Sequence, residues 1–230
     1  MIIPITGLPG VGNITTAVPR EILAGNIALA QFIPGLHVLD GNLSRDPLNA
    51  PDIDVLRAGM MVGRVTATGN YASSVLGVLT SAAGSGATTL NVAPAVAAEL
   101  VRRIGASGTF ALTGPPTSGG TVATQSVTYS AVNLSTGAIT CSAISAAIAG
   151  SFVQPTDGSS DVVTLLANRW GVKVTDQLGN SVDVLEEQLL LEGYVKTANI
   201  INYPTDTSLA AFVKLMLRTN CPAMTFDDAF

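Results

Sequence analysis

The first residues with chemical promise are TGLPGVGNIT, residues 6 to 15, which follow the apolar start MIIPI. An apolar strand running into a glycine-rich turn is how a phosphate loop begins, and Gly7 and Gly12 have the GxxxxG spacing. The loop then needs a lysine for the outer phosphates and a hydroxyl for magnesium, but Asn13 and Ile14 stand there, and Thr15 comes one place late. The stretch therefore reads as a glycine-broken N-terminal arm. DGNLSRD, residues 40 to 46, places Asp40, Asn42, Ser44 and Asp46 at alternate positions, like the start of a calcium loop. Arg45 replaces the glycine of the sharp turn and Pro51 replaces the closing glutamate, so turn-forming side chains bonded to their own backbone are expected instead of a metal.

Other catalytic options are few. His37 is the single histidine, no GxSxG elbow exists, and no cysteine lies near His37 in sequence. It is expected as a partly buried histidine at a strand end. Glu186 and Glu187 are adjacent; on a strand they point to opposite faces, and a solvated pair of carboxylates is expected. Tyr71, Tyr129, Trp170, Tyr194 and Tyr203 are dispersed and offer no stacking platform. Cys141 and Cys221 have no metal or redox spacing; two free buried thiols are expected, with a long-range disulfide as the alternative. No catalytic residue, cofactor or metal is assigned.

Composition narrows the class further. The 230 residues suit one large domain or two small ones, and either can bury a core. Charged residues are 12% of the chain, about half the usual share, while 47% is hydrophobic. Such a chain points to surfaces covered by partners. With a net charge of −5 and basic residues scattered apart from Arg102 and Arg103, a nucleic-acid surface is not expected. No run of about 18 apolar residues exists to span a bilayer, and no secretory signal is visible, so synthesis in the cytoplasm is expected.

The elements that must position these residues are mostly strands. Between Ile104 and Thr156 no residue is charged. There GTFALTG, TVATQSVTYSAVN and GAITCSAI are rich in β-branched residues and are separated by PPTSGG and LSTG turns. A helix precedes them in APAVAAELVRRIG, with Val96, Leu100, Val101 and Ile104 at helical spacing, Pro94 at the start and Gly105 as a cap. Glycine and serine cluster in SAAGSGA and PTDGSSD at the ends of this block, which predicts an inserted β-rich module over 81–164. The host is a discontinuous base, 21–80 plus 165–230, preceded by the arm over 1–20. In the base, residues 53 to 79 read as glycine-punctuated strands, WGVKVTDQLGNSVDV as a hairpin, and DTSLAAFVKLML as a helix striped by Leu209, Phe212, Val213 and Met216, with Asp206 or Thr207 as its cap. The tail CPAMTFDDAF is expected to be loosely held. The fold class is mainly β, α+β in detail: a compact β-rich base with a C-terminal helix and the inserted module.

LRAGMMVGRVTATGNYASSVLGVL, residues 56 to 79, resembles the segment of lambda-type phage head decoration proteins that precedes the core strands. EGYVKTANIINYPTDTSLAAFVKLML, residues 192 to 217, resembles that family's closing strand and helix. Together they cover about a fifth of the chain; its length and uncharged insert depart from the family. The resemblance implies a non-enzymatic capsid cement, a homotrimer at threefold positions of an expanded icosahedral shell. Its partner would be the major capsid protein and its place the capsid exterior of a virion assembled in the host cytoplasm. It also implies that the arm docks on the shell: Ile2, Ile3 and Ile5, with Leu8 and Ile14, are the candidate capsid-binding residues, able to add a short strand to an exposed edge. The alternative is a tail-associated or surface adhesin, a receptor-binding module whose recognition surface is the uncharged insert.

Overall fold

In the computed structural model the described residues are 20 to 24 and 29 to 228; the candidate arm residues Ile2, Ile3, Ile5, Leu8 and Ile14 lie outside them. Strand accounts for 36% and helix for 14%, so the chain is mainly β, as its alternating β-branched runs predict. The strands form four sheets among the described residues.

The largest sheet has six strands in the order β6 (Gly77–Val78), β11 (Phe152–Gln154), β8 (Gly108–Gly114), β9 (Ala123–Asn133), β10 (Ala138–Cys141) and β7 (Thr89–Asn91). The pairing is antiparallel throughout. Alternation turns Phe110, Leu112, Val127, Tyr129, Ile139 and Val153 inward, where α1 (Pro94–Arg103) lays Val96, Ala97 and Leu100 on them to close one hydrophobic core. Pro94 opens α1 where its missing N–H costs nothing. After the last turn Gly105 takes φ +126, a left-handed conformation that other residues adopt only with strain. Here the Tyr129 hydroxyl donates to the Gly105 carbonyl at 2.6 Å, tying the helix end to the middle of the sheet. Tyr129→Phe removes that bond and is expected to lower stability by about 1 kcal/mol, measured by urea unfolding.

The sheet draws on residues 77 to 154, so its outer strands reach into the chain just before the uncharged block. At the other end β12 (Val162–Leu165) pairs with β4 (Met61–Arg64). These belong to a five-stranded sheet ordered β12, β4, β5 (Tyr71–Ser73), β2 (His37–Leu39) and β14 (Val184–Glu186). A two-stranded ribbon, β3 (Val55–Leu56) with β13 (Val172–Lys173), lies beside it. The fourth sheet is β1 (Gln31–Phe32), β15 (Leu190–Lys196) and β16 (Met224–Asp227).

The tail departs from expectation. Residues Met224–Asp227 form β16, parallel to β15, with Gly193 opposite Met224 and Lys196 opposite Asp227. Met224 is buried and Cys221 hydrogen-bonds back to Leu217, so α2 (Thr207–Asn220) delivers the tail directly onto the sheet. Asp206 caps α2 by accepting from the Ser208 and Leu209 amides. The helix buries Leu209, Val213 and Leu217 against Met61, Val195 and Ile200.

Candidate functional site

The residues singled out by chemistry do not converge. His37 sits on β2, half-buried, its Nε2 3.2 Å from the Ile33 carbonyl and its ring edge-on to Tyr71. The Asp40 carboxylate accepts from the Asn42 and Leu43 amides, the self-bonded turn expected of it. In the same loop Arg45 Nη1 donates to the carbonyls of Gly41 and Ser44, at 2.5 and 2.6 Å, and Nη2 to Ser181 Oγ. Asp46 leaves the loop altogether and holds Arg57 through two bonds of 2.6 and 3.0 Å. Among the described residues no group of three or more histidine, cysteine, aspartate or glutamate side chains is placed to hold a metal.

Glu186 corrects the expectation of a solvated pair. Glu187 is exposed, but Glu186 is buried, accepting from Asn168 Nδ2 and the Gln188 amide. Glu186 ends β14 and Glu187 lies just past it, off the strand; what the sequence hides is that the Glu186 side chain is covered. Cys141 and Cys221 are free thiols buried in two different cores, and burial pushes both thiols up from the ordinary value.

A buried polar cluster forms the joint between the six-stranded sheet and the five-stranded one. Arg103, at the last turn of α1, has a side chain only 1% exposed. It donates to the Ser73 carbonyl at the end of β5 (2.7 Å), to Asp157 (3.0 Å) and to Ser159 Oγ (2.6 Å) in the segment between β11 and β12. Asp157 in turn accepts from the Ser159 amide and hydroxyl. Burial pulls the Arg103 guanidinium down from its ordinary value, and Asp157 opposes that. Burial would raise the Asp157 carboxyl, yet the Arg103 charge and the Ser159 hydrogen bonds outweigh it and hold the group below the usual carboxylate range. Beside it Arg102 is forked onto Glu99 and reaches the Asn42 carbonyl. A second tie joins the turn after β8 to α2, where Asp206 accepts from Ser118 Oγ and the Gly119 amide.

Close backbone contact completes the joint. A Cβ on Gly63, in β4, would lie 2.2 and 2.3 Å from the carbonyl oxygens of Ser159 and Asp161. Arg103, Asp157 and Ser159 were not marked out by sequence reasoning. Their only signal was Arg103 standing last before a long uncharged block.

The entering and leaving chains also lie side by side. The Leu76 amide donates to the Val153 carbonyl, Leu79 to Ser151, and Gly150 to Leu79. Phe152, on β11 of the six-stranded sheet, turns its ring into the core formed by Met61, Val75, Leu165 and Leu190. The arrangement holds two sheets in one fixed relation, and its charged groups are occupied in doing so. Comparison with protein-family models, with curated proteins and with solved structures gave no match.

Proposed function

We propose that this chain is a structural virion protein that binds the outside of an icosahedral phage capsid, as trimers at threefold positions, and stabilises the expanded shell. The observation that supports this reading is the meeting of the two resembling stretches, which the insert separates in sequence. Gly59, in the first, accepts at its carbonyl from the Ile201 amide of the second at 2.9 Å. A Cβ on Gly59 would fall 2.1 Å from the Asn199 carbonyl oxygen. Ala58, Met61 and Val75 share one core with Val195, Ile200, Leu209 and Val213. The stretches therefore act as a single base, as a decoration protein with an insert requires.

The low charge fits a protein repeated side by side on a crowded lattice, where small and apolar surface is covered by neighbours. The rigid joint fits a part that works by geometry. The adhesin reading draws less support. On β9 the exposed residues are Ala123, Thr124, Ser126, Thr128, Ser130, Ala131 and Asn133, while Tyr129 is turned into the core, so that strand presents no aromatic platform for a glycan.

Deleting residues 2 to 14 is expected to abolish most binding to expanded, undecorated shells, measured by co-sedimentation, because the arm supplies the edge strand. Undiminished occupancy would remove the arm from the reading. Averaged micrographs of virions test the remainder: protrusions of this mass are expected at the threefold positions.

A further inference from the structure

We propose that the end of the base around Arg20, Arg57, Arg169 and Trp170 is a docking surface for an acidic peptide segment of a partner protein. The three arginines are far apart in sequence and are rooted together by the fold. The Arg20 amide donates to the Arg169 carbonyl at 2.9 Å. Arg20 directs Nε and Nη2 to the Asn199 carbonyl, an uncharged acceptor. Arg57 is forked onto Asp46, whose side chain is fully buried.

Burial lowers the Arg20 pKa first and repulsion from Arg57 lowers it further, with Asp46 the carboxylate working against both. Arg57 holds the Asp46 carboxylate, and Arg20 is bonded to an uncharged carbonyl in place of an acid. Among the described residues Arg102, Arg103, Lys173 and Lys214 each have an acidic partner, while Arg45 is spent on two carbonyls and a hydroxyl and Arg64 on the Tyr71 ring. At this end, positive charge is left over in a molecule whose net charge is −5.

The surface has apolar anchors as well. Arg169 is exposed and lies 5.1 Å from the ring centre of Trp170, which is 53% exposed. Leu48, whose amide bonds to Asp46, is 47% exposed on the Arg57 side. Tryptophan and arginine dominate the energetically important positions of protein interfaces, and a guanidinium stacked on a ring keeps its N–H edge free to fork onto a carboxylate. Excess positive charge, a stacked arginine and an exposed indole together select a carboxylate-bearing chain. The inference goes beyond the shell reading and stands without it.

Trp170 is the only tryptophan, so its emission reports on this surface alone. Titrating the full chain with a polyglutamate peptide at low salt is expected to give a saturable change in emission that weakens at high salt. Polylysine is expected to give none. Arg169→Glu, at an exposed position, is expected to weaken the peptide by about tenfold or more, with an unfolding midpoint equal to that of the wild type. No response from the wild type, or an equal response from Arg169→Glu, would overturn the proposal. So would a single-stranded oligonucleotide that binds as tightly as polyglutamate, since the surface would then read any polyanion.

Discussion

Phe152→Ala is expected to lower the stability of the whole chain by about 3 to 5 kcal/mol. The residue belongs to β11 of the six-stranded sheet by its backbone, opposite Val78 and Thr113. Its ring is 1% exposed and belongs to the other core, with Val75, Met61, Leu165 and Leu190 around it. Truncation therefore leaves a cavity where the two units join, and neighbours anchored in different sheets are poorly able to collapse into it. Urea unfolding followed by far-ultraviolet dichroism checks the magnitude. A loss below about 1 kcal/mol would show that the ring is not a shared plug.

Asp157→Ala is expected to cost about 3 kcal/mol, at the lower end for breaking a buried pair because Asp157 retains some solvent contact. The cost arises from what is left behind. Arg103, with its side chain almost wholly enclosed, keeps its charge but loses its carboxylate, and Ser159 loses the acceptor of its amide and hydroxyl. The pair also sets a pH dependence. Since the folded-state pKa of Asp157 lies below the ordinary 3.8, its contribution is fully present above about pH 4 and is lost as pH falls through the folded value. Wild-type stability should therefore decline below about pH 4 more steeply than that of Asp157→Asn, a difference that parallel urea titrations would reveal. Coincident acid profiles would contradict the pairing.

Much of this architecture is legible in the amino-acid order, where local signals agree with the global fold. β8, β9 and β10 follow from β-branched runs bounded by glycine turns, and α1 from Pro94, the Val96 and Leu100 spacing and Gly105. The cap of α2 could be read as Asp206, because an aspartate before an apolar stripe satisfies free amides. Features set by distant partners are less legible. β16 is four residues in a short acidic tail, and only its parallel partner β15 makes it a strand. Glu186 looks like a surface carboxylate until Asn168, on a separate segment, is placed beside it.

The joint shows the same limit. Arg103 and Asp157 are 54 residues apart, with an uncharged block between them, and no periodicity links them. The arginines at 20, 57 and 169 read as scattered charges, since clustering arises only when β3 and β13 pair and residue 20 is laid against residue 169. Long-range closure is a property of topology, which spacing along a chain reports weakly. The candidate arm, Ile2 to Ile14, lies outside the described residues.

The neighbouring course of residues 76 to 79 and 150 to 153 has an evolutionary consequence. Strands paired in a ladder lie about 4.8 Å apart, so a cassette grafted at this point needs only adjacent ends. Different lineages could exchange the cassette while keeping the plug at Phe152 and the hydrogen bonds from Leu76 and Leu79 as the splice. Variation in length is therefore expected to concentrate between residues 80 and 149, and a foreign payload fused there would project from the base at a fixed attitude.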